Sequence, residues 1–212
     1  MKTPLIIAAL ALTASSALAT VTLSFGTTSI YASNWANGAG VGGSSLVWGI
    51  IVDADNDGFD FNGAGYNPGV SLASGAQVLT TGAGNQASDD FLYISPALMQ
   101  LTANTNDGAA IGMNRVTGIA NMAMTGNVGT GDNFVIVWFD RTALGGAAQG
   151  GDKFGIFGNP AFTLPAESAT QPYTSVFGGP EALKPMGFTF VPEPSSALLG
   201  LLGAVGLLRR RR

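Results

Sequence analysis

Along residues 20–25, TVTLSF, apolar Val21, Leu23 and Phe25 alternate with hydroxyl side chains, which predicts a strand with one buried face. Residues 45–53, SLVWGIIVD, are instead apolar almost without interruption, as in a central strand covered on both faces. NFVIVWFD, residues 133–140, repeats that pattern. Both runs pass through a Trp into an Asp and then a glycine-bearing loop, which could mark equivalent strands of two sheets. Shorter stretches between residues 70 and 126 (VSLA, AQVLT, FLYIS, AIGMNRVTGI, NMAMTG) supply weaker strands. DKFGIFG, AFTLP and MGFTFV follow, each aromatic and each bounded by Gly, Pro or Asn. In PALMQL, residues 96–101, Pro96 is placed to open one short helix. Many short strands with turn signals at this spacing predict an all-β domain of β-sandwich or jelly-roll type.

The two ends follow other patterns. Lys2, an apolar stretch over residues 5–12 and the exit Ala17-Leu18-Ala19 have the layout of a secretory signal peptide, cleaved between Ala19 and Thr20. A buried N-terminal helix is the alternative. Residues 197–208 form a second uncharged, mostly apolar run, closed by Arg209, Arg210, Arg211 and Arg212. As a helix it would rise about 18 Å against a hydrocarbon core of roughly 30 Å, so it is short for a permanent anchor. The expected division is a signal peptide at 1–19, a β domain at 20–188 and a terminal segment at 189–212.

Composition sharpens this. Glycine occupies 31 of 212 positions, about twice its usual ~7% share, while helix-forming charged residues are scarce between the ends. That central part carries four bases, Arg115, Arg141, Lys153 and Lys184, against twelve acids. Such an acidic surface disfavours nucleic acid, whose phosphates require Lys and Arg, and suits the capture of divalent cations. Cysteine and histidine are both absent. An exported chain without cysteine must rest on its core or on bound ions, and without histidine it has no Ser-His or Cys-His machinery and no ordinary zinc site.

The loop DADNDGFD, residues 53–60, has the D-x-D-x-D-G spacing of a calcium loop. Carboxylates on alternate residues, Asp53, Asp55 and Asp57, can turn inward on one hard cation, and Gly58 permits the bend. The carbonyl of Phe59 and the carboxylate of Asp60 are candidates to complete the shell. The loop resembles only the first half of an EF-hand loop: the twelfth position, which needs a bidentate Glu, is Ala64, and a strand precedes it. A solvated turn rich in Asp, Asn and Gly is the competing reading.

Carboxylate pairs can hydrolyse glycosides without histidine, and Asp89, Asp90, Asp132, Asp140, Asp152 and Glu167 are available. None stands in a recognisable arrangement, so no catalytic residue is assigned. The glycine-rich segment 140–152 lacks the lysine and hydroxyl pattern of a phosphate-binding loop. Trp48 and Trp138 belong to apolar strands and are expected in the core. Trp35, in the polar stretch YASNWANGAG, is expected to be exposed, where its face could stack on a sugar ring.

The last residues carry a specific resemblance. Val191-Pro192-Glu193-Pro194, the short apolar run and the arginine cluster resemble a PEP-CTERM sorting signal. The glycine-rich part before it is similar to β domains found in front of such tails. The resemblance implies that Pro192, Glu193 and Pro194 are read by an exosortase-type processing enzyme. It further implies that residues 197–208 sit transiently in the inner membrane of a Gram-negative bacterium as a short transmembrane helix, with Arg209 to Arg212 as the stop. An ordinary single-pass anchor is the alternative. The implied destination is the cell surface or an extracellular matrix containing exopolysaccharide. The expected role is structural or adhesive and non-catalytic. A calcium-dependent glycan-binding module and a carboxylate-based glycoside hydrolase are the alternatives.

Overall fold

A computed structural model describes residues 19–26, 32–59, 70–78, 90–102, 112–176 and 182–190. The expected signal peptide before Ala19, Asp60, Asp89, the sorting motif and the arginine cluster lie outside the described residues. Within them the protein is all-β. The strands are β1 (Thr20–Ser24), β2 (Ala32–Ser33), β3 (Val47–Val52), β4 (Gly75–Val78), β5 (Phe91–Ile94) and β6 (Gln100–Leu101). They continue as β7 (Asn114–Val116), β8 (Gly118–Ala123), β9 (Asn133–Phe139), β10 (Lys153–Thr163), β11 (Thr170–Pro172) and β12 (Phe188–Thr189). A single 3-10 turn, Thr174–Val176, is the helical element among the described residues, and no helix there is long and apolar enough to cross a membrane.

Six strands form one antiparallel sheet in the order β12-β10-β9-β3-β5-β4. As their patterns predict, β3 is buried throughout and β9 is buried after Asn133. Alternate residues divide between two cores. Trp48, Ile50, Val52, Phe134, Ile136 and Trp138 join Val21 and Leu23 of β1 and Ile119 and Met122 of β8 on one face. Val47, Ile51, Leu92, Val135, Val137 and Phe139 meet Val70, Leu72, Phe154 and Phe190 on the other. A sheet in the order β11-β1-β8 therefore covers the first face, and a small third sheet has the order β2-β7-β6. The two Trp-bearing strands are not equivalents in separate sheets. They are direct neighbours, with Trp48 opposite Trp138.

Three further expectations change. PALMQL is not helical: residues 96–97 bend and Gln100–Leu101 form β6. The backbone there is engaged sideways, since Met99 N–H donates to Leu46 C=O at 2.9 Å and Thr102 N–H to Met113 C=O at 2.9 Å. DKFGIFG and AFTLP join in one strand, β10, whose register shifts between Gly158 and Thr163, a stretch that contains Pro160 with no N–H to give. The folded part also reaches beyond the boundary at 188, because Thr189 pairs with Lys153 and Phe190 is buried.

Trp35 is the clearest correction. It is fully buried rather than exposed, so it offers no sugar platform. Its ring packs edge-on against Trp138 at 4.7 Å, and the side chain of Asn114 accepts its N–H at 2.7 Å and donates to its C=O at 2.7 Å. Within this stretch Asn37 Oδ1 accepts the N–H groups of Ala39 and Val41, both at 3.0 Å. Lys184 closes the far side: its ammonium lies 4.7 Å from the Trp35 ring and donates to Ser33 C=O at 2.9 Å. Backbone bonds from Lys184 N–H to Asn34 C=O and from Ala36 N–H to Lys184 C=O, both 2.9 Å, bind residues 182–190 across the domain as a strap.

Burial holds the Lys184 ammonium down to about 8 despite the aromatic ring beneath it. The cost of burying the charge is fully present below pH 8 and is relieved as pH rises toward 10.5, where the unfolded chain also loses the proton. Stability to denaturant should therefore rise between pH 7.5 and 9.5 in the native chain relative to Lys184→Met; parallel profiles would contradict this. Burial pushes the Tyr173 phenol upward, but that group enters only above about pH 10.

Close packing supplies a second prediction. Gly155 lies opposite Trp138, and a Cβ there would stand 2.2 Å from the indole ring. Gly155→Ala should cost about 2 kcal/mol or more by overpacking. Gly187→Ala, with no atom within 4 Å of the added carbon, should stay within about 0.5 kcal/mol of the native chain in the same urea titration.

Candidate metal centre

The acidic loop is held by the sheet it leaves. Asp53 follows the last residue of β3, and its N–H still donates to Asn133 C=O of β9 at 2.9 Å. That bond keeps Asp53 in line with the strand, where it is 3% exposed. Ala54 then turns into the first core, Asn56 (φ 62°) and Gly58 (φ 95°) reverse the chain in left-handed backbone, and Phe59 packs against the second core. Both ends of the loop are thus fastened to the interior, while Asp55 and Asp57 are exposed at its tip.

One carboxylate oxygen from each of Asp53, Asp55 and Asp57 lies within 4.8 Å of the other two. Oxygens around one calcium stand about 2.3–2.6 Å from it, so separations up to nearly twice that radius fit one ion. Asp53 Oδ2 accepts the Gly58 N–H at 3.2 Å, whereas its Oδ1 is buried and has no hydrogen-bond donor. Leaving a buried charged oxygen unmatched costs more than the ~1–3 kcal/mol typical of a neutral group. Burial pushes the Asp53 carboxyl above its ordinary value, the Gly58 and Asn56 N–H groups oppose this, and the charge of Asp55 adds to it. Ionising Asp53 in the folded chain is therefore harder than ionising a free carboxyl. The cluster could hold a metal ion.

Among the described residues, the other candidate carboxylates are divided between the two ends of the sheet. Asp140 and Asp152 stand at the end of the sheet where β9 finishes and β10 begins. There Asp152 is ion-paired with Arg141; burial works against its ionisation, but the guanidinium and the Gln149 N–H outweigh this and lower its pKa. Asp90 and Asp132 lie at the opposite end, just before β5 and β9, and both are buried. Asp132 Oδ2 accepts the Gly129 N–H at 2.7 Å, and Glu167 sits in an exposed turn before β11. A small recess in the second core is lined by Ile51, Val70, Leu92, Val137, Phe139, Phe154 and Phe190, with no polar side chain. The sequence spacing found the three loop carboxylates. It gave no sign that Asp53 alone would be buried, because that follows from its bond to β9.

No family model matches the chain, and no curated protein or solved structure matches it.

Calcium at about one hundred times its dissociation constant should stabilise the protein by about 2.7 kcal/mol. Asp53→Asn should abolish that gain while leaving the calcium-free protein as stable as before or more so. A melting series that shows no calcium response in the native chain, or an equal response in the variant, would remove the site.

Proposed function

We propose that the protein is an exported, non-catalytic structural or adhesive component of the cell surface or extracellular matrix, whose acidic loop is a calcium staple. The observation that carries this reading is the buried Asp53 oxygen without a donor beside two further carboxylates. Calcium suits the loop better than magnesium, because an irregular shell drawn partly from exposed side chains and water tolerates its larger radius and flexible geometry. The core shared by the β11-β1-β8 sheet and one face of the six-stranded sheet supports a β-sandwich of jelly-roll type. Among the described residues, the separation of Asp140 and Asp152 from Asp90 and Asp132 by the length of that sheet favours a non-catalytic role.

Delivery rests on the terminal segments. The N-terminal signal directs export, and Pro192-Glu193-Pro194 with the apolar run and arginines presents the chain to an exosortase-type enzyme. The apolar run is short because it needs only to park the protein for processing. The mature protein recovered from the matrix fraction of the native host should have an intact mass lacking residues 1–19 and 197–212. A mass that retains residues 197–212 would overturn the sorting reading.

A further inference from the structure

We infer that the Asn37-Gly38 peptide is a self-modification site, at which the Gly38 nitrogen closes on the Asn37 side-chain amide and expels ammonia. The loop that contains it, residues 37–41, is fixed by its own hydrogen bonds. Asn37 N–H donates to Val41 C=O at 2.8 Å, and Gly40 N–H donates to Asn37 C=O at 2.9 Å. The side chain is bonded too, since Asn37 Oδ1 accepts two backbone N–H groups. Two donors on one amide oxygen draw electrons from its carbon and stabilise the negative charge that develops there during attack. The bond from Gly40 polarises the neighbouring peptide in the same way and makes the Gly38 N–H a better acid.

Gly38 supplies the attacking nitrogen, and with no side chain it lets other groups approach closely. A carbon added there would collide with Asp140 Oδ2, so that carboxylate lies directly against the residue. Asp140 is exposed just past the end of β9, in position to take the Gly38 proton directly or through one water. Lys153 steadies the same residue by donating to Gly38 C=O at 2.7 Å. The fold thus assembles a polarised carbonyl, a nitrogen and a base at one peptide.

The reaction balances with water alone. The bond from Gly38 N to Asn37 Cγ forms as the proton passes to Asp140. The Cγ–Nδ2 bond then breaks, and the proton leaves with the ammonia. Water opens the cyclic imide at one carbonyl to give aspartate, or at the other to give isoaspartate, which carries an extra main-chain carbon. The isoaspartate form cannot keep the hydrogen bonds of residues 37–41 in register. Ala36, just before it, accepts the Trp138 Nε1–H at 2.9 Å and donates to Lys184 C=O. Conversion therefore loosens the hold on both Trp138 and the strap, and acts as a timer built into the fold.

Incubation of the full chain in mildly alkaline buffer, followed by peptide mass mapping, tests this against a synthetic peptide of residues 33–43. The peptide has the same Asn-Gly with no fold around it. Asn37 should convert about tenfold faster in the folded chain than in the peptide, with both aspartate and isoaspartate recovered. Asp140→Asn should slow the folded chain by about tenfold while its melting temperature shows that the fold is kept. Conversion in the folded chain no faster than in the peptide would overturn the inference. An unchanged rate in folded Asp140→Asn would overturn the part given to Asp140.

Discussion

Everything described depends on the pairing of β3 with β9. Trp48 faces Trp138, Ile50 faces Ile136 and Ile51 faces Val135, so this central ribbon is apolar on both sides along its whole length. A ribbon of that kind has no face to give to water, and each Trp or Phe carries about 150–250 Å² that must be covered. The cover comes from different parts of the chain: β1 and β8 on one face, and the segments around Leu72, Phe154 and Phe190 on the other. With no cysteine to cross-link them, those two cores bear the fold.

The same pairing sorts the polar chemistry. Because the interior of the sheet is apolar, charged residues collect where strands begin and end. At one end Arg141 pairs with Asp152, and Lys153 donates to Gly38 C=O. The other end holds Asp53, Asp90 and Asp132, each buried. Of the metal centre's three carboxylates, Asp53 is thus held in place by the core, while Asp55 and Asp57 are exposed at the loop tip.

The sequence announced the parts whose physics is local. Unbroken apolar runs marked β3 and β9 as central, the alternation in residues 20–25 marked β1, and the acid spacing marked the loop. It was silent or misleading where partners are distant in the chain. Trp35 reads as surface until Asn114, 79 residues on, closes its backbone bonds. The run NRVTGI reads as one strand, yet it divides at Thr117 between two sheets, because Asn114–Val116 pairs with β2 and β6 while the residues after it pair with β1. Pro96 looks like a helix start until Leu46 and Met113 claim the backbone that follows it.

The strap at residues 182–190 is built into the fold. Phe190 is buried against Phe139 and Phe154, and its backbone is held from both sides by Gly151 and Asp152. A cut before Lys184 would strip the cover from Trp35 and free the edge of β10. Residues 184–190 thus close both cores at once, and the domain cannot be cut ahead of them without opening each.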